Sequence, residues 1–110
     1  MPRSGFKTVM RHYIRIKIFT EKGRDDNNRI DLAFGKAGDR GVDISVKDIA
    51  ARTIKPDGSI VEVKQSDIYE RETVKGKGIK FRSKSFVLPN VEVGSIIEYR
   101  WTEIRGNSLS

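Results

Sequence analysis

Few residues in this chain could do chemistry, and their types set narrow limits on it. The 110 residues contain no cysteine and a single histidine, His12. Nucleophilic catalysis of the Cys–His or Ser–His kind needs a base beside the nucleophile. His12, at the start of an apolar strand, reads as a surface or boundary residue instead. A zinc site needs several converging His, Cys or carboxylate ligands, and one histidine among basic neighbours does not start one. Asp25-Asp26-Asn27-Asn28 offers oxygen ligands without the spacing of a calcium loop, and reads as a polar turn between two strands. Glu62 and Glu98 are a formal carboxylate pair for glycoside hydrolysis. Their alternation with apolar neighbours makes both solvent-facing strand positions.

The remaining candidates are cationic. Lys75, Lys77, Lys80, Arg82 and Lys84 form a basic run with no acid among them, a candidate anion-contacting surface. The alternative reading is a solvated strand and loop that keep a sheet edge soluble. Gly76-Lys77-Gly78 within that run supplies two glycines of a dinucleotide fingerprint, but the third is missing and no helix follows. Single-strand nucleic-acid binders pair a basic groove with aromatic platforms. Here Phe86 shares a face with Lys84, Arg82 and Leu88, while Phe81 is followed on its own parity by Ser83 and Ser85. That mixed pattern disfavours nucleic acid. No catalytic, cofactor or metal-ligating set emerges.

The elements that must position these residues are strands. Period-two alternation runs through Tyr13 to Phe19, with Ile14, Ile16 and Ile18 on one face, and through Ile30, Leu32 and Phe34. In Val42 to Ile54 the alternation of Ile44 and Val46 restarts one residue out of phase at Ile49, Ala51 and Thr53. A bulge near Lys47-Asp48 accounts for the shift; a short helix over Val46–Ala51 is the competing reading. Lys55-Pro56-Asp57-Gly58 is a turn, so residues 49–63 read as a hairpin. Ile68 to Val74 is more polar and reads as an edge, where a peptide strand could be added. Phe81 to Leu88 and Ser95 to Arg105 complete the set. Ile97, Tyr99 and Trp101 share one parity and read as core. The spacing predicts an all-β, mainly antiparallel fold, a sandwich or open barrel of seven to eight strands.

Size and charge agree with one such domain over residues 1–110. The hydrophobic fraction is 36% and the charged fraction 34%, against about 45–50% and about 25% in ordinary domains. The core is therefore thin, as in a sheet whose outer faces are well solvated or in a domain that leans on a neighbour. Net charge is +7 at pH 7, of which residues 1–24 supply +6. No apolar run approaches the roughly 18 residues that span a bilayer, and Met1 to Met10 is too short and polar for a signal peptide.

Two segments carry a resemblance. Ala51-Arg52-Thr53-Ile54-Lys55-Pro56-Asp57-Gly58-Ser59-Ile60-Val61 and Phe86-Val87-Leu88-Pro89-Asn90-Val91-Glu92-Val93-Gly94-Ser95-Ile96-Ile97-Glu98-Tyr99 together resemble the domain of unknown function that stands N-terminal to transglutaminase-like domains in many bacterial proteins, often exported ones. The resemblance covers roughly residues 12–105. It implies a non-catalytic accessory β-sandwich, one part of a larger extracytoplasmic protein, whose partner is the transglutaminase-like domain of the same polypeptide. The Cys-His-Asp machinery would belong to that domain. Beside this stands a second expectation, a free-standing module for an anionic polymer, either cell-envelope polysaccharide or nucleic acid.

Overall fold

A computed structural model describes residues 7–37, 42–75 and 79–107. Side chains are described for these except 36, 37, 42, 73–75, 79–81 and 107. Among the described residues, seven strands and one short α-helix follow in the order β1 (Lys7–Lys17), α1 (Glu21–Asn27), β2 (Arg29–Ala37), β3 (Val42–Ile54), β4 (Ile60–Glu62), β5 (Tyr69–Lys75), β6 (Ile79–Val87) and β7 (Ile96–Asn107), with a single 3-10 turn, Gln65–Asp67, between β4 and β5. All the strands join one antiparallel sheet, ordered β1-β7-β3-β2-β6-β5, with β4 also on β3. The all-β, antiparallel expectation holds, and β5 is a terminal strand as its polarity suggested.

Strand β3 organises the molecule. One side pairs with β7 along its length. The other side is shared: Val42–Ile44 pair with β2, and Arg52–Ile54 pair with β4. In the gap between them, substitutes reach the free carbonyls of β3. Lys84 Nζ donates to the Val46 carbonyl at 2.7 Å, Gln65 Nε2 to Ile49 at 2.8 Å, and the Val63 amide to Ala51 at 2.9 Å. Where that gap begins, β2 leaves β3 and pairs with β6 over Arg29–Phe34. The sheet thus has two halves, β1-β7-β3-β4 and β2-β6-β5, joined through β2.

The halves face each other across the core. Leu32 and Phe86 from one half meet Val46, Ala51, Ile97 and Tyr99 from the other in a single buried cluster. The Phe86 ring stands edge-on to Tyr99, with centroids 6.0 Å apart. Burying each large apolar side chain contributes about 1.5–3 kcal/mol, so this interleaving holds the halves together.

The phase shift in β3 is a bulge. Lys47 faces Thr102 and Ala50 faces Arg100, so Asp48 and Ile49 together oppose Trp101, and Asp48 takes φ 55°. No helix forms over Val46–Ala51. The hairpin at 49–63 also forms, its turn closed by Lys55 and Ser59 and braced by Asp57, which accepts from the Ser59 amide at 2.9 Å.

Two expectations need correction. The first strand spans Lys7–Lys17 rather than Tyr13 to Phe19, because its pairing with β7 continues past the apolar alternation. Phe19 lies beyond it, 74% exposed. The polar stretch Asp25-Asp26-Asn27-Asn28 is not a bare turn: Glu21–Asn27 form a helix capped by Thr20, whose hydroxyl accepts from the Gly23 amide at 2.9 Å. That helix buries no residue. It therefore left no apolar period of 3.6 in the sequence, and local capping with the Lys22–Asp26 pair one turn apart sustains it.

Candidate interaction surface

The half-sheet β1-β7-β3-β4 has two faces. One enters the core through Ile14, Ile16, Ala51, Ile97 and Tyr99. Strand alternation sends the intervening side chains to the other, outer face, and the register arranges them in rows. The first row is apolar: Ile60, Ile54 and Ile96, ending at Lys17. None of those isoleucines joins the core cluster, and Phe19 lies exposed beside the row, with Lys17 Nζ 5.8 Å from its ring centre.

The second row alternates in charge across four strands: Glu62, Arg52, Glu98 and Arg15. Glu98 on the central strand is only 5% exposed. Arg52 Nε donates to Glu98 Oε1 at 3.0 Å and Arg15 Nη1 to Oε2 at 3.3 Å, while the Tyr13 hydroxyl also donates to Oε2. The Tyr13 hydrogen bond foremost, then Arg52 and Arg15, hold the carboxyl below its ordinary value against the opposing effect of burial. The expectation that Glu98 faces solvent is corrected on this point. Its side chain does leave the core, as alternation required, but Tyr13, Arg15 and Arg52 fold over it. Glu62 is exposed, as expected.

Further along come Tyr13, Arg100 and Ala50, then Arg11, Thr102 and Lys47. Tyr13 is 59% exposed. Among the described residues, no carboxylate lies within 4 Å of Arg11, Lys47 or Arg100. An open cleft of about 400 Å³ runs beside the ionic row and admits both Glu62 and Glu98. Arg52 stands between the two carboxylates in the register. Glu98, held ionised by three donors, is unsuited to give a proton near neutrality.

The sequence candidates fall elsewhere. Arg82 and Lys84 point toward the core side of β6. Arg82 Nη2 pairs with Glu70 at 2.6 Å, Arg82 Cζ lies 5.4 Å from the Phe34 ring centre, and Lys84 is bound to the Val46 carbonyl. Lys75 pairs in register with Ile79, and Lys80 with Val74. Their side chains, and all of Lys77, lie outside the described residues. Phe86 is fully buried and cannot stack on a base. His12 does more than bound a strand: its ring stacks on Trp101 at 4.6 Å, Trp101 stacks on Tyr99 at 5.7 Å, and His12 Nε2 lies 2.9 Å from Glu103 Oε1. Among the described residues, no three His, Cys, Asp or Glu side chains converge on a metal-sized site. Nor is any described helix long and apolar enough to cross a membrane.

Sequence reasoning missed the ionic row because it depends on which strands are neighbours. Arg15, the hairpin pair Arg52 and Glu62, and Glu98 are separated from one another by dozens of residues, and only the order β1-β7-β3-β4 aligns them. The apolar outer row was hidden for a related reason: Ile54, Ile60 and Ile96 look like core residues in isolation.

No curated protein matches the chain. No solved structure matches it. A family model, described as a domain of unknown function and designated DUF3857, matches residues 6–109. With nearly its whole length matched, and an antiparallel sheet running through that length, the chain belongs to the DUF3857 family.

Proposed function

We propose that this domain is a non-catalytic accessory module whose outer face seats a neighbouring domain, and that the neighbour is a transglutaminase-like domain of the same polypeptide. The observation that carries the reading is the apolar row Ile60–Ile54–Ile96 with Phe19 beside it. The three isoleucines lie on a regular half-sheet and, like Phe19 beyond the end of β1, contribute nothing to the domain's own core. An apolar patch rimmed by polar groups is the usual mark of a protein contact. Here the ionic row from Glu62 to Arg15 supplies the rim. The choice of neighbour rests on the family resemblance of the two motifs around Pro56 and Gly94.

The test is the flanking reading frame and the protein it encodes. A Cys-His-Asp domain downstream is expected, with reduced thermal stability when it is separated from this module. A catalytic domain with the same stability and turnover in both forms contradicts the reading.

A further inference from the structure

Among the described residues, no strand lies beyond β1 in the sheet. Eleven consecutive residues of β1 pair with β7 without a register shift, so the opposite side of β1 is a long, straight edge. Such edges are templates for another strand. The direction of the backbone groups follows from the residue just past β1. The Ile18 amide donates to the Ser95 carbonyl at 2.8 Å, and the Ile18 carbonyl accepts from the Gly94 amide at 2.7 Å. Ile18 therefore directs both groups toward β7. Alternation does the same for Ile16, Ile14, His12, Met10 and Thr8. The groups left on the free edge belong to Lys7, Val9, Arg11, Tyr13, Arg15 and Lys17.

Four of those six residues are cationic. Their side chains line the outer face along the edge, and only Arg15 is neutralised by a carboxylate of the described residues. The inward positions carry the half-buried Met10, Ile14 and Ile16. A second copy of the chain pairing through this edge would set cations against cations, which opposes self-association. The terminal strand on the other side of the sheet, β5, differs. It is shorter and of mixed charge, with Glu70 and Arg71 already paired to Arg82 and Asp31.

We infer that the free edge of β1 accepts an extended acidic peptide segment as an added strand, with acidic residues at alternate positions beside Lys7, Arg11, Arg15 and Lys17, and apolar residues between them beside Met10, Ile14 and Ile16. Main-chain hydrogen bonds supply the docking and period-two side-chain complementarity supplies the selection. Because those cations lie on the outer face, a neighbouring domain seated there competes with the peptide, so the test uses the chain without that neighbour.

The probe is a fluorescent peptide of roughly nine residues alternating Glu and Val, matched to the edge by strand rise. It is titrated into the 110-residue chain at low salt. Binding at least about tenfold tighter than that of the Lys–Val counterpart is expected. Methylating alternate peptide nitrogens on the pairing edge is expected to remove the binding while leaving the charge intact. On complex formation, the amides of Val9, Arg11, Tyr13 and Arg15 gain protection from hydrogen exchange. Replacing two cations together, Arg11→Glu with Lys17→Glu, weakens binding at least about tenfold; unchanged circular dichroism confirms that the variant folds. The inference is overturned by no binding of the Glu–Val peptide, by equal binding of its methylated form, or by dimerisation of the free chain through β1. Retention on heparin or single-stranded DNA without edge-amide protection likewise assigns the cations to an anionic polymer and overturns strand addition.

Discussion

Pro56 Cγ lies 3.2 Å from the point where a Cβ on Gly94 would sit. Pro56 belongs to the β3–β4 turn and Gly94 to the connection into β7, so the two motifs that carry the family resemblance touch. Gly94 has φ +96° and its amide donates to the Ile18 carbonyl. Gly58, in the first motif, has φ +90° but open space around its Cβ position. The pair separates backbone strain from collision. Gly58→Ala is expected to cost about 1 kcal/mol, whereas Gly94→Ala costs about 2–3 kcal/mol through added contact with Pro56. Urea unfolding of the two variants measures the difference.

Glu98→Gln should destabilise the domain by about 1–3 kcal/mol at pH 7 by weakening its charge-assisted hydrogen bonds. The pH dependence has a definite sign. The folded-state carboxyl titrates below its ordinary value, held there by Tyr13, Arg52 and Arg15. Its stabilisation is therefore present above the ordinary carboxylate value of about 4.3 and is lost as pH falls through the depressed value. Unfolding curves of wild type and variant should diverge at neutral pH and converge in strong acid. A constant gap at every pH contradicts the assignment.

Thr53 lies on the core side of β3, fully buried, and its hydroxyl has no hydrogen-bond partner among the described residues. Thr53→Val keeps the shape and removes the unpaired hydroxyl. It is expected to raise stability by about 0.5–2 kcal/mol in thermal or urea unfolding.

Lys84 caps the open stretch of β3 at the Val46 carbonyl. Lys84→Met keeps the apolar stem and removes the donor, and is expected to cost about 1–2 kcal/mol. Exchange of amides on β3 near the bulge should accelerate more than exchange on β1.

Ile97 is fully buried, while Trp101 is half-buried between His12 and Tyr99. Ile97→Ala should cost about 2–5 kcal/mol and Trp101→Ala about 2 kcal/mol. A loss under half a kcal/mol for Ile97→Ala would reverse the assignment of its face.

Local rules made much of the fold legible. Alternation identified the core side of β7 through Ile97 and Tyr99, and the out-of-phase restart at Ile49 located the bulge. Turn chemistry at Pro56-Asp57-Gly58 located the hairpin. Helix α1 was invisible because it buries no residue and so carries no apolar stripe. The outer face was invisible for a deeper reason: a strand's sequence states which residues share a side, but not which strand lies next to it. Arg15, Glu98 and Arg52 meet only through a strand order set by the whole chain. The burial of Glu98 follows from that order, not from its neighbours in sequence.

The claim that the outer face is a protein contact is tested most directly by hydroxyl-radical footprinting of Phe19, Ile60 and Tyr13. The 110-residue chain is compared with a polypeptide that also carries the proposed transglutaminase-like neighbour, with Tyr69 on the other half-sheet as internal reference. Oxidation of the first three is expected to fall several-fold in the full polypeptide while Tyr69 stays unchanged. Equal oxidation of Phe19, Ile60 and Tyr13 in both forms contradicts the account.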